Sequence, residues 1–242
     1  MNESERKLGI YDTKFGRYLL YNDDNISNVL IHDMFWEKDL KEIFDNYLNK
    51  DSTVIEVGSY IGDHTVYLSK SAKKVYAFES QRHIFHQLCA NLFLNLCMNV
   101  YAREATIYDG SNLRLPNKDN HDPYAIPTHD YIEYGSDVDP SGIFLAPDIG
   151  GSITSVTLDS LMPIDERIDF ILTDAEGSDL SILKGATNLI SKWKPIIVYE
   201  FNITAANIHG DTFEDYERFF QSMGYRTEKV DFWNRIAIPI KE

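Results

Sequence analysis

The sequence predicts an α/β fold: a mostly parallel, doubly wound sheet with an antiparallel C-terminal hairpin and an inserted flap. Three observations carry this expectation. From Thr53 onward, short apolar runs alternate with segments of helical period; a glycine turn follows the first run; and one proline-rich stretch breaks the rhythm. The chain has 242 residues, 43% hydrophobic and 25% charged, which suits one domain over residues 1–242 with a single sizeable core.

The elements follow in order. Phe15–Tyr21 (FGRYLLY) predicts a short strand and Asn22–Asn25 a turn. Asp33 is placed to cap a helix over Phe35–Leu48, whose apolar face is Phe35, Leu40, Ile43, Phe44, Tyr47 and Leu48. Strands are expected at Thr53–Val57, Lys74–Phe78, Asn99–Ala105, Ile168–Thr173 and Pro195–Phe201. A helix over Gln81–Leu96 presents Ile84, Leu88, Leu92 and Leu96 at four-residue spacing, and another over Asp179–Lys192 presents Leu180, Leu183, Ala186 and Ile190. Asp211 and Glu214 resemble a capping box for a helix ending near Gly224. Tyr225–Val230 and Asn234–Ile238 are joined so briefly that they must be antiparallel neighbours at the sheet edge.

Residues 1–50 therefore read as an N-terminal strand and helix cap, and 51–108 and 153–242 as the two halves of the sheet. Between them, 109–152 holds five of the eight prolines and no helical period, so it reads as a flap, with Asp130–Tyr134 and Gly142–Leu145 as candidate short strands.

The formal charge of −15 repels a phosphate backbone and disfavours a nucleic-acid partner. No stretch approaches the ~18 apolar residues that span a bilayer, and Met1–Lys7 has no leader-like apolar core, so a cytoplasmic protein without a membrane partner is expected. Cys89 and Cys97 stand eight positions apart in the expected helix, too far for a disulfide, and two cysteines make no zinc site.

The most informative run is Thr53–Thr65 (TVIEVGSYIGDHT), an apolar strand, a glycine turn and a helix start. Gly58 permits the turn and Gly62 a close approach of the helix. The G-x-x-x-G spacing departs from the G-x-G-x-x-G of dinucleotide binders, and Glu56 at the strand end would repel a pyrophosphate. S-adenosylmethionine, with an ammonium and a sulfonium but no phosphate, suits such a site. Glu79 stands 23 residues beyond Glu56, where an acid at the next strand tip accepts both ribose hydroxyls.

Five runs in order, Glu56–Gly62 (EVGSYIG), Val75–Glu79 (VYAFE), Thr157–Leu161 (TLDSL), Asp174–Asp179 (DAEGSD) with Leu183–Ala186 (LKGA), and Pro195–Glu200 (PIIVYE), resemble the successive motifs of FkbM-type methyltransferases over about residues 36–202. The resemblance implies a class I Rossmann-like methyltransferase fold. It implies use of S-adenosylmethionine, usually for O-methylation in sugar or secondary-metabolite pathways. The sequence departs from the family's common Asp at Glu56 and its Ala-Asn at Ser59-Tyr60. The expected cofactor set is Glu56, Gly58, Ser59, Tyr60, Gly62, His64, Thr65, Glu79, Ser80, Thr106 and Asp174. Trp36-Glu37 matches a recurrent pair that can cover the cofactor, and Tyr11 and Tyr18 are candidates to close the pocket.

Asp174 and Glu200 end the fourth and fifth expected strands, so both project to the crevice. A hydroxyl becomes a nucleophile when a base takes its proton or a divalent cation lowers its pKa. The cluster Asp174, Glu176, Glu200 and Asn202 serves either route, with Asp174, Glu200 and Asn202 as oxygen ligands and His64 or His209 as nitrogen ligands for a divalent metal ion. His121 and His129, in the flap, are candidates to reach substrate. The expected acceptor is a small hydroxylated molecule such as a sugar or nucleotide-linked sugar. An oxidoreductase on the same sheet and a non-catalytic cofactor-binding module are the alternatives. Seven acids stand against Lys118 between Pro116 and Gly151, so an anionic acceptor would need Arg17, Lys38, Arg103 or Arg114 nearby.

Overall fold

The computed structural model describes residues 7–22, 24–114, 146–147, 153–163 and 165–240. The chain opens with a hairpin, β1 (Leu8–Asp12) and β2 (Arg17–Tyr21), then α1 (Asn25–Ile31) and α2 (Lys38–Tyr47). The sheet starts with β3 (Thr53–Val57), α3 (Asp63–Ser71), β4 (Lys74–Glu79), α4 (Arg82–Leu94) and β5 (Val100–Glu104). Two short strands, β6 (Leu113–Arg114) and β7 (Ala146–Pro147), pair antiparallel, so the chain leaves and returns at one place. There follow α5 (Leu158–Leu161), β8 (Phe170–Thr173), α6 (Asp179–Lys184), α7 (Thr187–Trp193), β9 (Ile196–Glu200), α8 (Ile203–Ile208), α9 (Phe213–Ser222), β10 (Tyr225–Lys229) and β11 (Asn234–Pro239).

The main sheet runs β10-β11-β9-β8-β3-β4-β5. β3 pairs in parallel with both β4 and β8, and β11 lies antiparallel to β9 and β10. The chain thus winds outward from β3 to β5 and restarts at β8 on the other side, so the switch point falls between β3 and β8. All five residues of β3 and all four of β8 are buried, as central parallel strands require.

Period-two alternation distributes these strands between two cores. Val54, Phe170, Leu172 and Val198 pack toward α2 and α3 with Phe44 and Leu68, whereas Ile55, Ile171, Ile197 and Tyr199 pack toward α6, α7 and α9 with Leu183, Ile190 and Phe220. A third cluster joins the N-terminal hairpin, α1 and α4 through Tyr18, Leu20, Leu30 and Leu88.

Several expectations are corrected. Asn25 begins a helix rather than ending a turn, because the Asp24 side chain accepts from Ser27 N at 3.0 Å and Ile26 and Leu30 bury one face. Asp33 does not cap α2; its carboxylate takes Lys14 N at 2.6 Å, and Glu37 precedes the helix at φ 51°. The expected helix over 179–192 is two helices, since at Gly185 a Cβ would stand 2.4 Å from the Tyr108 carbonyl oxygen. The capping box is Thr212 with Asp215, one residue beyond the expected pair. Cys97 lies past the end of α4, with its Sγ 3.1 Å from Ser69 Oγ, and both cysteines are free. The candidate strands at 130–134 and 142–145, with His121 and His129, lie outside the described residues. Among the described residues no helix is long and apolar enough to cross a membrane.

Candidate active site at the switch point

β3 ends in the turn Gly58–Gly62, where Gly58, Tyr60 and Gly62 have φ of 84°, 44° and 88°. A Cβ at Gly58 would lie 1.8 Å from the Asp174 carbonyl oxygen, so the turn rests directly on the end of β8. The amides of Gly58 and Ser59 both donate to the Phe78 carbonyl, at 3.0 and 3.1 Å, which ties the turn to β4 as well. Beside it opens a crevice of ≈ 760 Å³, counting the part open to solvent.

Glu79, the last residue of β4, faces this crevice. Its Oε2 accepts from Tyr60 N at 3.0 Å and its Oε1 from Gln81 N at 2.7 Å, so one carboxylate fixes both the glycine turn and the strand exit. Burial pushes its pKa up to about 7, against the pull of these amides. The Ser80 amide and side chain also hydrogen-bond this carboxylate.

Of the expected cofactor residues, Gly58, Tyr60, Glu79, Ser80, Thr106 and Asp174 line the crevice. Glu56, Ser59, Gly62, His64 and Thr65 do not: Glu56 on β3 is 1% exposed, Ser59 in the turn is buried, and the start of α3 turns His64 and Thr65 into the core. Burial pushes Glu56 up to about 7. His64 stacks on Phe35 at 5.6 Å and stands 3.3 Å from the Trp36 carbonyl oxygen. Burial lowers its pKa, but Asp63, Glu37 and Glu56 outweigh burial and hold the imidazole above its ordinary value. Tyr18 is fully buried against α4 rather than at the pocket, and Tyr11 is its cross-strand partner.

Sequence reasoning missed Ile26, Gln81, Leu113 and Ser178 on the crevice wall. Ile26 was signalled by Asp24 followed by apolar residues four apart, and Leu113 by its place beside the flap stem, where Ile153 pairs with it.

Asp174 lines the crevice, whereas Glu200 does not but stands close enough to influence it. Asp174 is half-buried on the wall, and Glu200, the last residue of β9, is 9% exposed behind it. Burial, then Glu200, Glu37, Glu176 and Asp179, raise Asp174 well above the usual carboxylate range. Burial, then Glu176, Asp179, Glu37 and Asp231, raise Glu200 likewise. Tyr60 and Glu176 on the crevice wall hold left-handed φ of 44° and 50°, so two non-glycine residues there carry backbone strain.

The expected metal set does not assemble. Asn202 Oδ1 accepts from Thr204 N and Ala205 N at 3.1 and 3.4 Å and so caps α8. His209 has its Nδ1 at 2.9 Å from the Tyr108 hydroxyl and its Nε2 at 3.3 Å from Ser178 Oγ, which bridges the residues before the flap to the start of α6. Among the described residues no group of three His, Cys, Asp or Glu side chains is arranged to hold a metal ion.

The sequence matches the model of the methyltransferase FkbM domain over residues 56–227, more than two thirds of the chain. No curated protein matches it. Among solved structures, it is similar to the FkbM methyltransferase of Methylobacillus flagellatus KT at 19% identity and a TM-score of 0.48, over 77% of this chain and 43% of that one, so it spans under half of that protein's length. It is similar to SMU.1697c of Streptococcus mutans, solved with S-adenosylhomocysteine, at 13% identity and 0.49, over 84% and 97% of the two chains. The precorrin 8w decarboxylase of Methanobacterium thermoautotrophicum matches at 12% and 0.49, over 85% and 90%. By its glycine turn, its strand-end acids and the match over residues 56–227, this chain belongs to the FkbM methyltransferase family.

Proposed function

We propose that the chain transfers a methyl group from S-adenosylmethionine to a hydroxyl of a small acceptor, such as a sugar or nucleotide-linked sugar. The observation that carries this reading is the crevice at the switch point, walled by Gly58, Glu79 and Asp174, in a chain of this family. The residues present fit the donor: the Glu79 carboxylate faces the crevice at the tip of β4, where ribose hydroxyls would lie, and Gly58 lets the turn rest on the Asp174 strand end.

S-adenosylmethionine supplies a sulfonium-bound methyl carbon with no need of a further activator. The chain's part is to place the acceptor and take its proton. Bound here, the donor would give up its methyl group to the acceptor oxygen and leave as S-adenosylhomocysteine, and the O–H proton would pass to a carboxylate, for which Glu200 and Asp174 are the candidates. Crowding and burial keep these two carboxyls protonated further up the pH scale than ordinary acids. A cation entering beside them lowers their pKa, so a base forms as the crevice fills.

Calorimetry with S-adenosylhomocysteine and with NADH tests the cofactor. The first should bind with at least tenfold higher affinity; binding of NADH alone would overturn the reading. Release of S-adenosylhomocysteine in a screen of sugars and sugar nucleotides then tests the acceptor. Turnover should fail in Asp174→Asn and Glu200→Gln, whereas a non-catalytic module would give no release with any acceptor.

A further inference from the structure

β5 is the last strand of the main sheet: it pairs with β4 on one side and, among the described residues, with no strand on the other. Val75 N donates to the Asn99 carbonyl and Ala105 N to the Glu79 carbonyl, so Asn99, Tyr101, Arg103 and Ala105 turn their backbone groups toward β4. The alternate residues, Val100, Ala102 and Glu104, turn theirs outward. Such an edge is a template for another strand unless it is blunted. The opposite edge of the sheet, β10, is blunted by exposed Arg226, Glu228 and Lys229.

The surface beside β5 is apolar instead. Ile84, Leu88 and Leu92 seat α4 over Val100 and Ala102, while Gln87 and Asn91 bind the Leu19 backbone of β2 at 2.8 and 2.6 Å. The N-terminal hairpin lies on the α3 side, where Lys70 donates to the Phe15 carbonyl at 2.5 Å. The other flank of α4, which carries Cys89 and Phe93 by helical period, therefore faces the sheet edge. Among the described residues the three most exposed large apolar side chains are Met98, Phe93 and Leu96, at 88%, 78% and 75%, all where α4 ends and the chain enters β5. Residues 80–103 contain no Asp or Glu, in a chain that holds 38. Two copies, each of charge −15, would meet with least repulsion on this face.

We infer that two copies of this chain join edge to edge through β5, antiparallel about a two-fold axis at Ala102, into one continuous sheet. The pairing is self-complementary. Ala102 and Ala102 of the partner subunit exchange their outward amides and carbonyls, Tyr101 faces Arg103 of the partner subunit, and the Glu104 amide reaches the carbonyl of Val100 of the partner subunit. Tyr101 is 52% exposed, and its ring rests on Tyr76 at 5.5 Å beside Lys74, which is itself paired with Glu166; the ring is thus held in place to meet a guanidinium. Glu104 is neutralised by Arg82 at 3.0 Å, so the register opposes no like charges. A five-residue edge alone falls short of the about 800 Å² per partner that a stable dimer buries, and Phe93, Leu96 and Met98 extend the contact along α4. Because each copy has one such edge, the two-fold closes the assembly at a dimer. The inference stands whichever acceptor the crevice takes.

Sedimentation equilibrium of the full chain, from about 1 to 100 µM, tests this, and the mass should reach twice that of the chain with a Kd at or below about 10 µM. Tyr101→Arg sets arginine against Arg103 of the partner subunit, and Phe93→Asp sets a carboxylate in the apolar flank; each should weaken the dimer at least tenfold. Tyr101→Arg combined with Arg103→Glu should restore it, since each arginine then faces a carboxylate, a recovery that misfolding of the single variants could not produce. Hydrogen exchange at the Ala102 and Glu104 amides should slow as the chain is concentrated. Circular dichroism and affinity for S-adenosylhomocysteine should be kept in every variant. A monomer at about 100 µM, an assembly larger than a dimer, a dimer indifferent to both single variants, or a folded double variant that stays monomeric overturns the inference.

Discussion

Glu79 and Glu200 occupy the same place in two strands, the last residue of β4 and of β9, on either side of the switch point, yet their surroundings are opposite. Glu79 spends both oxygens on backbone amides and thereby holds the glycine turn in shape. Glu200 leaves Oε2 without a partner and has other carboxylates as its nearest influences. A satisfied buried acid is a piece of scaffold, whereas an orphaned one is costly until a ligand arrives. In the proposed reading, Glu79 helps to position the cofactor and Glu200 responds to what enters.

The largest expected effect disturbs the close contact of the glycine turn with β8. Gly58→Ala sets a Cβ against the Asp174 carbonyl at a left-handed φ, so affinity for S-adenosylhomocysteine should fall at least 100-fold by calorimetry, or the chain should fail to fold by circular dichroism. Near-normal binding by a folded variant would show that the turn does not form the cofactor wall.

The next is a pH dependence shared by both acids. Burial puts Glu56 and Glu79 at about 7 and Asp179 at about 6, and raises Asp174 and Glu200 further. Between the ordinary carboxylate range and these values, the folded state binds more protons than the unfolded one, so stability falls as pH rises through that window. His64, with its raised pKa, acts in the same direction. The acids held low by cations, Asp12 and Asp45, have already charged in both states and add no slope. The ligand-free Tm should drop by about 5–10 °C from pH 5.5 to 8, and saturation with S-adenosylmethionine should flatten the slope, read by differential scanning fluorimetry. A Tm that rises over this range would contradict the crowding of acids.

The smallest effect concerns Asn202, whose side chain caps α8. Asn202→Ala should cost about 1 kcal/mol through loss of the α8 cap, with activity at saturating substrate kept within about threefold. A loss of turnover that added Mn²⁺ or Mg²⁺ restores would return Asn202 to the site.

The sheet was legible because its strands are continuous apolar runs whose neighbours are set by the glycine turn and the crossover helices; β3 falls on the residues the sequence indicates. The N-terminal helix α1 was hidden because Asn22–Asn25 offers turn chemistry and cap chemistry at once, and the tertiary contact of Leu30 decides between them. Asp174 and Glu200 were readable as strand-end acids, but the side chains that neighbour Glu200 were not. Glu37 and Asn234 lie 197 positions apart, and only the antiparallel placement of β11 beside β9 brings them into contact. His64 and Thr65 follow the glycine turn in sequence, and the helix period turns both into the core.

The division of roles between the two acids is tested most directly by comparing Glu79→Gln with Glu200→Gln in one experiment, measuring affinity for S-adenosylhomocysteine and, with a turning-over acceptor, kcat. Glu79→Gln should weaken affinity about 10–100-fold and lower kcat at saturation by less than about tenfold, since it loses a charged acceptor for the ribose. Glu200→Gln should keep affinity within about threefold and lower kcat at least 100-fold. If both variants lose affinity alike and neither loses kcat, the two acids do the same work and the division is wrong.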